Sequence, residues 1–222
     1  HLREILMRHR GMKKAEANKE AIEALKKVGI PSPESRLKQY PHEFSGGMRQ
    51  RVLIAMALCC NPKLLIADEP TTALDVTIQA QILELLQELQ TTENMSIVLI
   101  THDLGVVASL SNRIVVMYGG RVMEEGLTDE IFYHPTHPYT RALLNAIPKP
   151  VTGVKERLEP IPGMAPSLLN PLPGCPFADR CSFATPKCEE RMPEYHTYSD
   201  TQRAMCIFSK TELDQMEQKK GE

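Results

Sequence analysis

Apolar positions recur at helical spacing through the first part of the chain. Residues 1–28 read as two helical pieces broken near Gly11, and Lys13 to Val28 places Ala17, Ala21, Ile22, Leu25 and Val28 on one face. Gly29 offers a C-cap, and Pro31 and Pro33 forbid continuation. Residues 34–43 form a loop leading into Ser45-Gly46-Gly47, and a helix is predicted from about Met48 to Cys60, stopping at Asn61-Pro62. The pattern then changes. Lys63 to Asp68 and Ser96 to Thr101 are short apolar runs without polar alternation, as in buried parallel strands. Between them Asp75 can cap a helix through about Leu89, with Ile78, Ile82, Leu85, Leu86 and Leu89 facing inward. Asp103 can cap the next helix, ending near Ser111-Asn112. Arg113 to Tyr118 and Arg121 to Glu125 flank Gly119-Gly120, a two-residue hairpin signal. Two short helices follow, around Asp129–Tyr133 and Pro138–Ile147. Strands alternating with helices predict an α/β layer structure with a mostly parallel sheet.

Composition shifts after that point. Residues 148–173 hold seven prolines, which marks an extended connector. A cysteine module spans 174–208, and the charged tail after Ser209 is expected to fray. A hydrophobic content of 42% over 222 residues supports a packed core, enough for one domain and a small appendage. Net charge is 26 − 28 = −2, so no global basic field points to nucleic acid. The longest apolar run, Val52 to Cys60, has nine residues, against roughly 20 for a membrane span. The N-terminus shows no secretory signal, and a cytoplasmic chain is expected. Cys59 and Cys60 sit in an apolar helix and read as small buried hydrophobes.

Candidate chemistry gathers around two short segments. Ser45-Gly46-Gly47 precedes a helix, where free N–H groups and the positive end of the dipole favour an anion. Taken alone, the same residues would serve as an ordinary N-cap. Twenty-three residues on, Asp68 closes a buried strand, where ligands of open α/β sheets bind. A carboxylate there suits Mg²⁺, usually through water. Glu69 follows and can orient or deprotonate an attacking water. Two adjacent acids at a buried strand end are costly without a cation. His102, just past the next strand on the same edge, can donate to a γ-phosphate or hold the water.

On these residues the chain resembles the ABC ATPases, a P-loop NTPase family. Phe44-Ser45-Gly46-Gly47-Met48 is similar to the signature motif, with Met48 where Gln is commoner. Leu64 to Glu69 resembles the Walker B strand with its catalytic Glu, Ala73-Leu74-Asp75 the D-loop, and His102 the switch histidine. The motifs occur in the family's order and cover residues 34–135. Further on, Tyr139-Thr140-Arg141-Ala142-Leu143-Leu144, Ile161-Pro162-Gly163 and Gly174-Cys175-Pro176-Phe177-Ala178-Asp179-Arg180-Cys181 resemble the C-terminal extension of ATPase subunits from oligopeptide and dipeptide importers. Relatives in that group serve nickel, glutathione or other small solutes. The resemblance implies ATP and Mg²⁺ as ligands, Glu69 and His102 as catalytic residues and Asp68 as the Mg²⁺-associated acid. Residues 45–48 would meet the ATP of a second ATPase subunit, commonly a different one, with Asp75 at that interface. Two transmembrane permease subunits and, indirectly, an extracytoplasmic solute-binding protein complete the expected partners, with no nucleic acid. The location implied is peripheral, on the cytoplasmic face of the cell membrane. A soluble ABC protein of translation or DNA repair, and a non-catalytic remnant that only dimerises, are the competing classes.

No G-x-x-x-x-G-K-[ST] occurs, and there is no Gly-Lys pair. The resemblance thus implies three parts: a helical-subdomain remnant with the signature (1–60), the C-terminal half of the ATPase core (61–147), and a Pro-rich connector with a four-Cys module (148–222). Such a C-terminal portion is expected to be inactive alone and to be poorly stable or self-associate, because its internal strands would expose apolar faces. The cysteines run Cys175-x5-Cys181-x6-Cys188-x17-Cys206. Four thiolates suit zinc or a cubane iron–sulfur cluster. The absence of a tight C-x₂₋₄-C pair, and the resemblance, favour [4Fe–4S] over zinc or disulfides.

Overall fold

A computed structural model describes residues 1–147, 160–167, 169 and 173–220, which form two compact units, His1–Leu110 and Ser111–Glu222. Of the expected connector, residues 148–159, 168 and 170–172 lie outside the described residues.

The first unit opens with helices α1 (Leu2–Arg10), α2 (Lys14–Lys27) and the short α3 (Pro33–Arg36), followed by α4 (Gly46–Leu58). Strand β1 (Leu64–Asp68), α5 (Val76–Thr92), β2 (Ser96–Ile100) and α6 (Leu104–Leu110) complete it. Its core holds most of the helical faces read from the sequence, Ala17, Ala21, Leu25, Val28, Ile82, Leu85, Leu86 and Leu89, with Leu6, Ile54 and Ala55 added, while Ile22 and Ile78 are only half-buried. The predicted caps are in place. Ser45 Oγ accepts the Met48 N–H at 3.3 Å, and Asp75 Oδ1 accepts the Ile78 N–H at 3.0 Å. β1 and β2 pair in parallel, with Leu64 opposite Ser96 and Asp68 opposite Ile100. Their burial is one-sided, in line with the expected exposure of apolar strand faces. Leu65 is buried, but Leu64, Ile66, Val98 and Ile100 are each about half exposed, so the pair carries one uncovered apolar face.

The second unit holds β3 (Arg113–Tyr118), β4 (Arg121–Leu127), α7 (Thr128–Tyr133), α8 (Pro138–Asn145), α9 (Pro186–Glu190), β5 (Tyr195–Thr197), β6 (Arg203–Met205) and α10 (Lys210–Lys220). Gly119 and Gly120 both take positive φ, 55° and 76°, which a primed hairpin turn requires. The hairpin is not isolated. β3, β4, β6 and β5 form one antiparallel sheet in that order, with Glu124 opposite Ala204 and Glu125 opposite Arg203. Among the described residues parallel pairing is confined to β1 and β2; the sheet of the second unit is antiparallel, with residues after the connector filling the edge of β4.

One expectation for the last quarter is corrected. Far from fraying, the tail forms α10: Leu213 is fully buried, Arg141 bonds Asp214 and Glu217 at 2.7 Å each, and Glu212 accepts the Ser209 N–H at 2.8 Å. The described part of the connector is likewise held down. Arg180 donates to the Ile161 carbonyl at 3.0 Å and the Pro162 carbonyl at 2.8 Å.

Glu124 is the polar centre of this unit. Its side chain is wholly buried and accepts four hydrogen bonds, from Thr136 N and Oγ1 (both 2.7 Å), His137 N (3.0 Å) and Gln202 Nε2 (3.1 Å). A buried carboxylate persists only when its lone pairs are met in this way. Replacing Glu124 by Ala leaves those four donors without their acceptor, and a loss of about 3 kcal/mol or more is expected, read as a lower denaturant midpoint.

Candidate functional site

The expected site residues of the first unit fall at the carboxyl ends of β1 and β2 and at the start of α4. Asp68 ends β1, and the Glu69 N–H donates to the Ile100 carbonyl at 2.8 Å, carrying the parallel ladder one residue further. Glu69 then takes a left-handed φ of 45°, uncommon for a non-glycine residue and frequent at functional sites. The turn brings its carboxylate onto His102, whose Nδ1 lies 2.9 Å from Glu69 Oε1. Glu69 Oε2 accepts the Thr72 hydroxyl at 2.5 Å. Asp103 caps α6 through Gly105 N (2.9 Å) and Val106 N (3.2 Å) and takes Gln79 Nε2 at 3.1 Å, which ties the residue after His102 to α5.

Ser45, Gly46, Gly47 and Met48 sit at the N-terminal turn of α4, beside the helix that Asp75 caps. A Cβ on Gly47 would meet Ile78 Cγ2 at 2.5 Å, and one on Gly46 would meet Leu74 Cδ2 at 3.2 Å. Gly47 is thus required by the close approach of α4 to α5, a reason distinct from any ligand. Among the described residues no hydrogen bond or ion pair joins this turn to Asp68, Glu69 or His102. Glu69 and His102 are brought together, Asp68 shares their edge, and the Ser45–Met48 turn stands with Asp75.

Electrostatically, the Glu69–His102 pair reinforces itself. Hydrogen bonding and the charge of Glu69 hold His102 above its ordinary 6.5. The Thr72 hydroxyl, then His102, hold Glu69 below its ordinary 4.5. Because Nδ1 is engaged, Nε2 is the ring nitrogen left to donate to an incoming anion.

The four expected cysteines lie in the second unit and are all free thiols. They line one apolar cavity with His137, Phe177, Phe183 and Phe208. The Cys175 N–H donates to the Cys188 carbonyl at 2.7 Å, joining the two loops, and a Cβ on Gly174 would fall 2.0 Å from that same carbonyl oxygen. Burial pushes the thiols of Cys181 and Cys206 up to about 12 and about 11 and raises that of Cys175. Thiols in such a setting stay protonated unless a cation compensates them. His137, buried beside them, is pushed down to about 4 by desolvation and is neutral; its Nδ1 accepts the Tyr139 N–H at 3.0 Å. Among the described residues no three His, Cys, Asp or Glu groups stand close enough to share one metal ion.

Sequence reasoning missed Thr72, Gln79, Glu124, His137 and Gly174. For Thr72 a signal existed in its position three residues after Glu69. Linkage fixes the pH behaviour of the Glu69–His102 pair. The ion pair is complete between the two shifted values. It weakens as pH rises through the raised His102 value and as pH falls through the lowered Glu69 value. An NMR titration of the His102 ring is expected to show a midpoint above 6.5, returning toward 6.5 in Glu69→Gln.

The chain is similar to known proteins along most of its length. The family model described as "ABC transporter" matches residues 2–72, and "Oligopeptide/dipeptide transporter, C-terminal region" matches residues 123–188. A dipeptide transport ATP-binding protein of Bacillus subtilis is 54% identical over 205 residues, 92% of this chain and 61% of that protein. An oligopeptide transport ATP-binding protein of Haemophilus influenzae is 53% identical over 208 residues, 94% of this chain and 64% of that protein. Among solved structures, a metal-chelate type ABC transporter in an inward-facing conformation aligns with TM-score 0.53 and 27% identity, over 64% of this chain and 57% of that one. The chain therefore spans about three fifths of the length of the curated relatives it matches. Among the described residues no helix is long and apolar enough to cross a membrane. Both family models match in chain order, and relatives above 50% identity run along about nine tenths of its length, so the chain has the α/β fold of ABC transporter ATPases and is similar to the oligopeptide and dipeptide transport ATP-binding proteins.

Proposed function

We propose that this chain contributes the hydrolytic carboxylate and histidine of an ATPase subunit that powers import of oligopeptides or dipeptides by an ABC transporter. The observation that carries the reading is the meeting of Glu69 and His102 at adjoining parallel strand ends, in a chain whose relatives are peptide transport ATP-binding proteins. In this reading Asp68 would hold Mg²⁺, which would supply positive charge beside the phosphates. Glu69 takes the proton of the attacking water. As the water oxygen bonds to the γ-phosphorus, the bond to the bridging oxygen breaks, leaving ADP and phosphate. His102 Nε2 donates to a γ-phosphate oxygen and so counters the charge that develops there.

The N-terminal turn of α4, with Ser45, Gly46, Gly47 and Met48, meets the ATP of a second, different ATPase subunit, and Asp75 lies at that contact. Its N–H groups and dipole suit a phosphate. The two subunits drive a pair of transmembrane permease subunits from the cytoplasmic face of the membrane, served outside by a solute-binding protein.

The four cysteines are proposed to hold a [4Fe–4S] cluster, which supplies one-electron redox chemistry. A single zinc draws four sulfurs to about 2.3 Å from one point. That all four cysteines line one apolar cavity supports the cluster reading. Gly174 permits the approach of the Cys175 and Cys188 loops.

Two results are expected. In the natural gene product assembled with its membrane partners, Glu69→Gln lowers ATP hydrolysis about 10²- to 10⁴-fold with ATP binding retained; retained turnover removes Glu69 from this role. Iron and sulfide assays with visible absorption are expected to detect the cluster in anaerobically purified protein and to lose it in Gly174→Ala. A colourless, zinc-containing protein rejects the cluster.

A further inference from the structure

We infer that Thr72 is the positioning residue of the hydrolytic carboxylate, an inference that rests on the ATPase reading above. Glu69 is engaged at both oxygens: Oε1 by His102 at 2.9 Å and Oε2 by the Thr72 hydroxyl at 2.5 Å. Two contacts at opposite ends fix the plane of the carboxylate, where one would leave it free to swing. Orientation of this kind separates a general base from a merely nearby acid.

The donor and acceptor are also built on one short turn. The Thr72 N–H donates to the Glu69 carbonyl at 3.2 Å, and the Leu74 N–H to the Thr71 carbonyl at 3.2 Å. Glu69 and Ala73 both take left-handed φ, 45° and 63°, at the two ends of this turn. Thr71 is buried at 8% exposure and anchors it, whereas Thr72 faces solvent. The turn therefore presents a hydroxyl to Glu69 from a side chain that fills no core. That combination distinguishes positioning from packing, since removing the hydroxyl leaves no cavity behind.

The role also explains a division of labour. His102 divides its ring between two tasks, Nδ1 on Glu69 and Nε2 free for a phosphate, whereas Thr72, three residues from Glu69, serves the carboxylate alone.

The test uses the natural gene product assembled with its membrane partners, with hydrolysis measured from low to saturating ATP. Thr72→Val keeps the side-chain shape and removes the donor. It is expected to lower kcat about 10- to 100-fold with KM for ATP within about twofold. Thr72→Ser, which restores the donor, is expected to recover most of kcat. Wild-type kcat in Thr72→Val, or a Thr72→Ser as slow as Thr72→Val, overturns the role of Thr72 alone and leaves the ATPase reading standing. An assembled wild type that binds ATP but does not hydrolyse it overturns the ATPase reading and the role of Thr72 with it.

Discussion

The register between β1 and β2 is the constraint on which the candidate site depends. Parallel pairing sets Asp68 opposite Ile100, and one further backbone bond, from Glu69 N–H to the Ile100 carbonyl, fixes where the chain leaves the ladder. From that point Glu69 is one residue beyond its strand and His102 two beyond its own. The left-handed turn at Glu69 closes the remaining gap. A slip of one residue would reverse the faces of a whole strand and part the two side chains. Helices α5 and α6 follow the two strands, each begun by an aspartate cap, and Gln79 bridges from α5 to the second of these caps.

The second unit obeys a different constraint. Its sheet is assembled from strands far apart in sequence, and a buried carboxylate sits where they meet. Glu124 on β4 gathers Thr136 and His137 ahead of α8 and Gln202 ahead of β6. Around it Tyr118, Tyr139 and Phe177 pack ring to ring, with centroids 4.6 to 5.4 Å apart. The aromatic cluster reaches the cysteine cavity through Phe177, so one apolar layer serves both the sheet and the sulfurs.

Much of the first unit was legible because its signals are local. Helical spacing gave α2 and α5, and short side chains gave the caps at Ser45 and Asp75; in the second unit, two glycines gave the hairpin turn. The expected apolar exposure of β1 and β2 is present, but periodicity could not show which face it would be, because an apolar run reads the same on both. Nor could it find β5 and β6, which are three residues each and exist because β4 offers an edge. The capping pair of Ser209 and Glu212 was readable, but the charge of the tail outweighed it; Leu213 and Arg141 decide the matter through distant contacts. In the site, Asp68, Glu69 and His102 were found from their strand ends, and the cysteines from their number. Thr72 was passed over although its place three residues after Glu69 was readable, because Glu-Pro-Thr-Thr reads as a turn and only the position of the hydroxyl shows what it touches. Gly174 was hidden because its need is steric and lies fourteen residues away, at the Cys188 carbonyl.

The position of Cys206 has a mechanical consequence. It follows Met205, the last residue of β6, and Ala204 is the register partner of Glu124. The sulfur is therefore two residues from the pairing that seals β4. Any chemical event that displaces it pulls directly on main-chain bonds between strands, and an unsealed β4 presents the kind of bare edge along which polypeptides add to one another. The integrity of the sulfur pocket and the solubility of this half of the molecule are thus coupled through three residues of backbone.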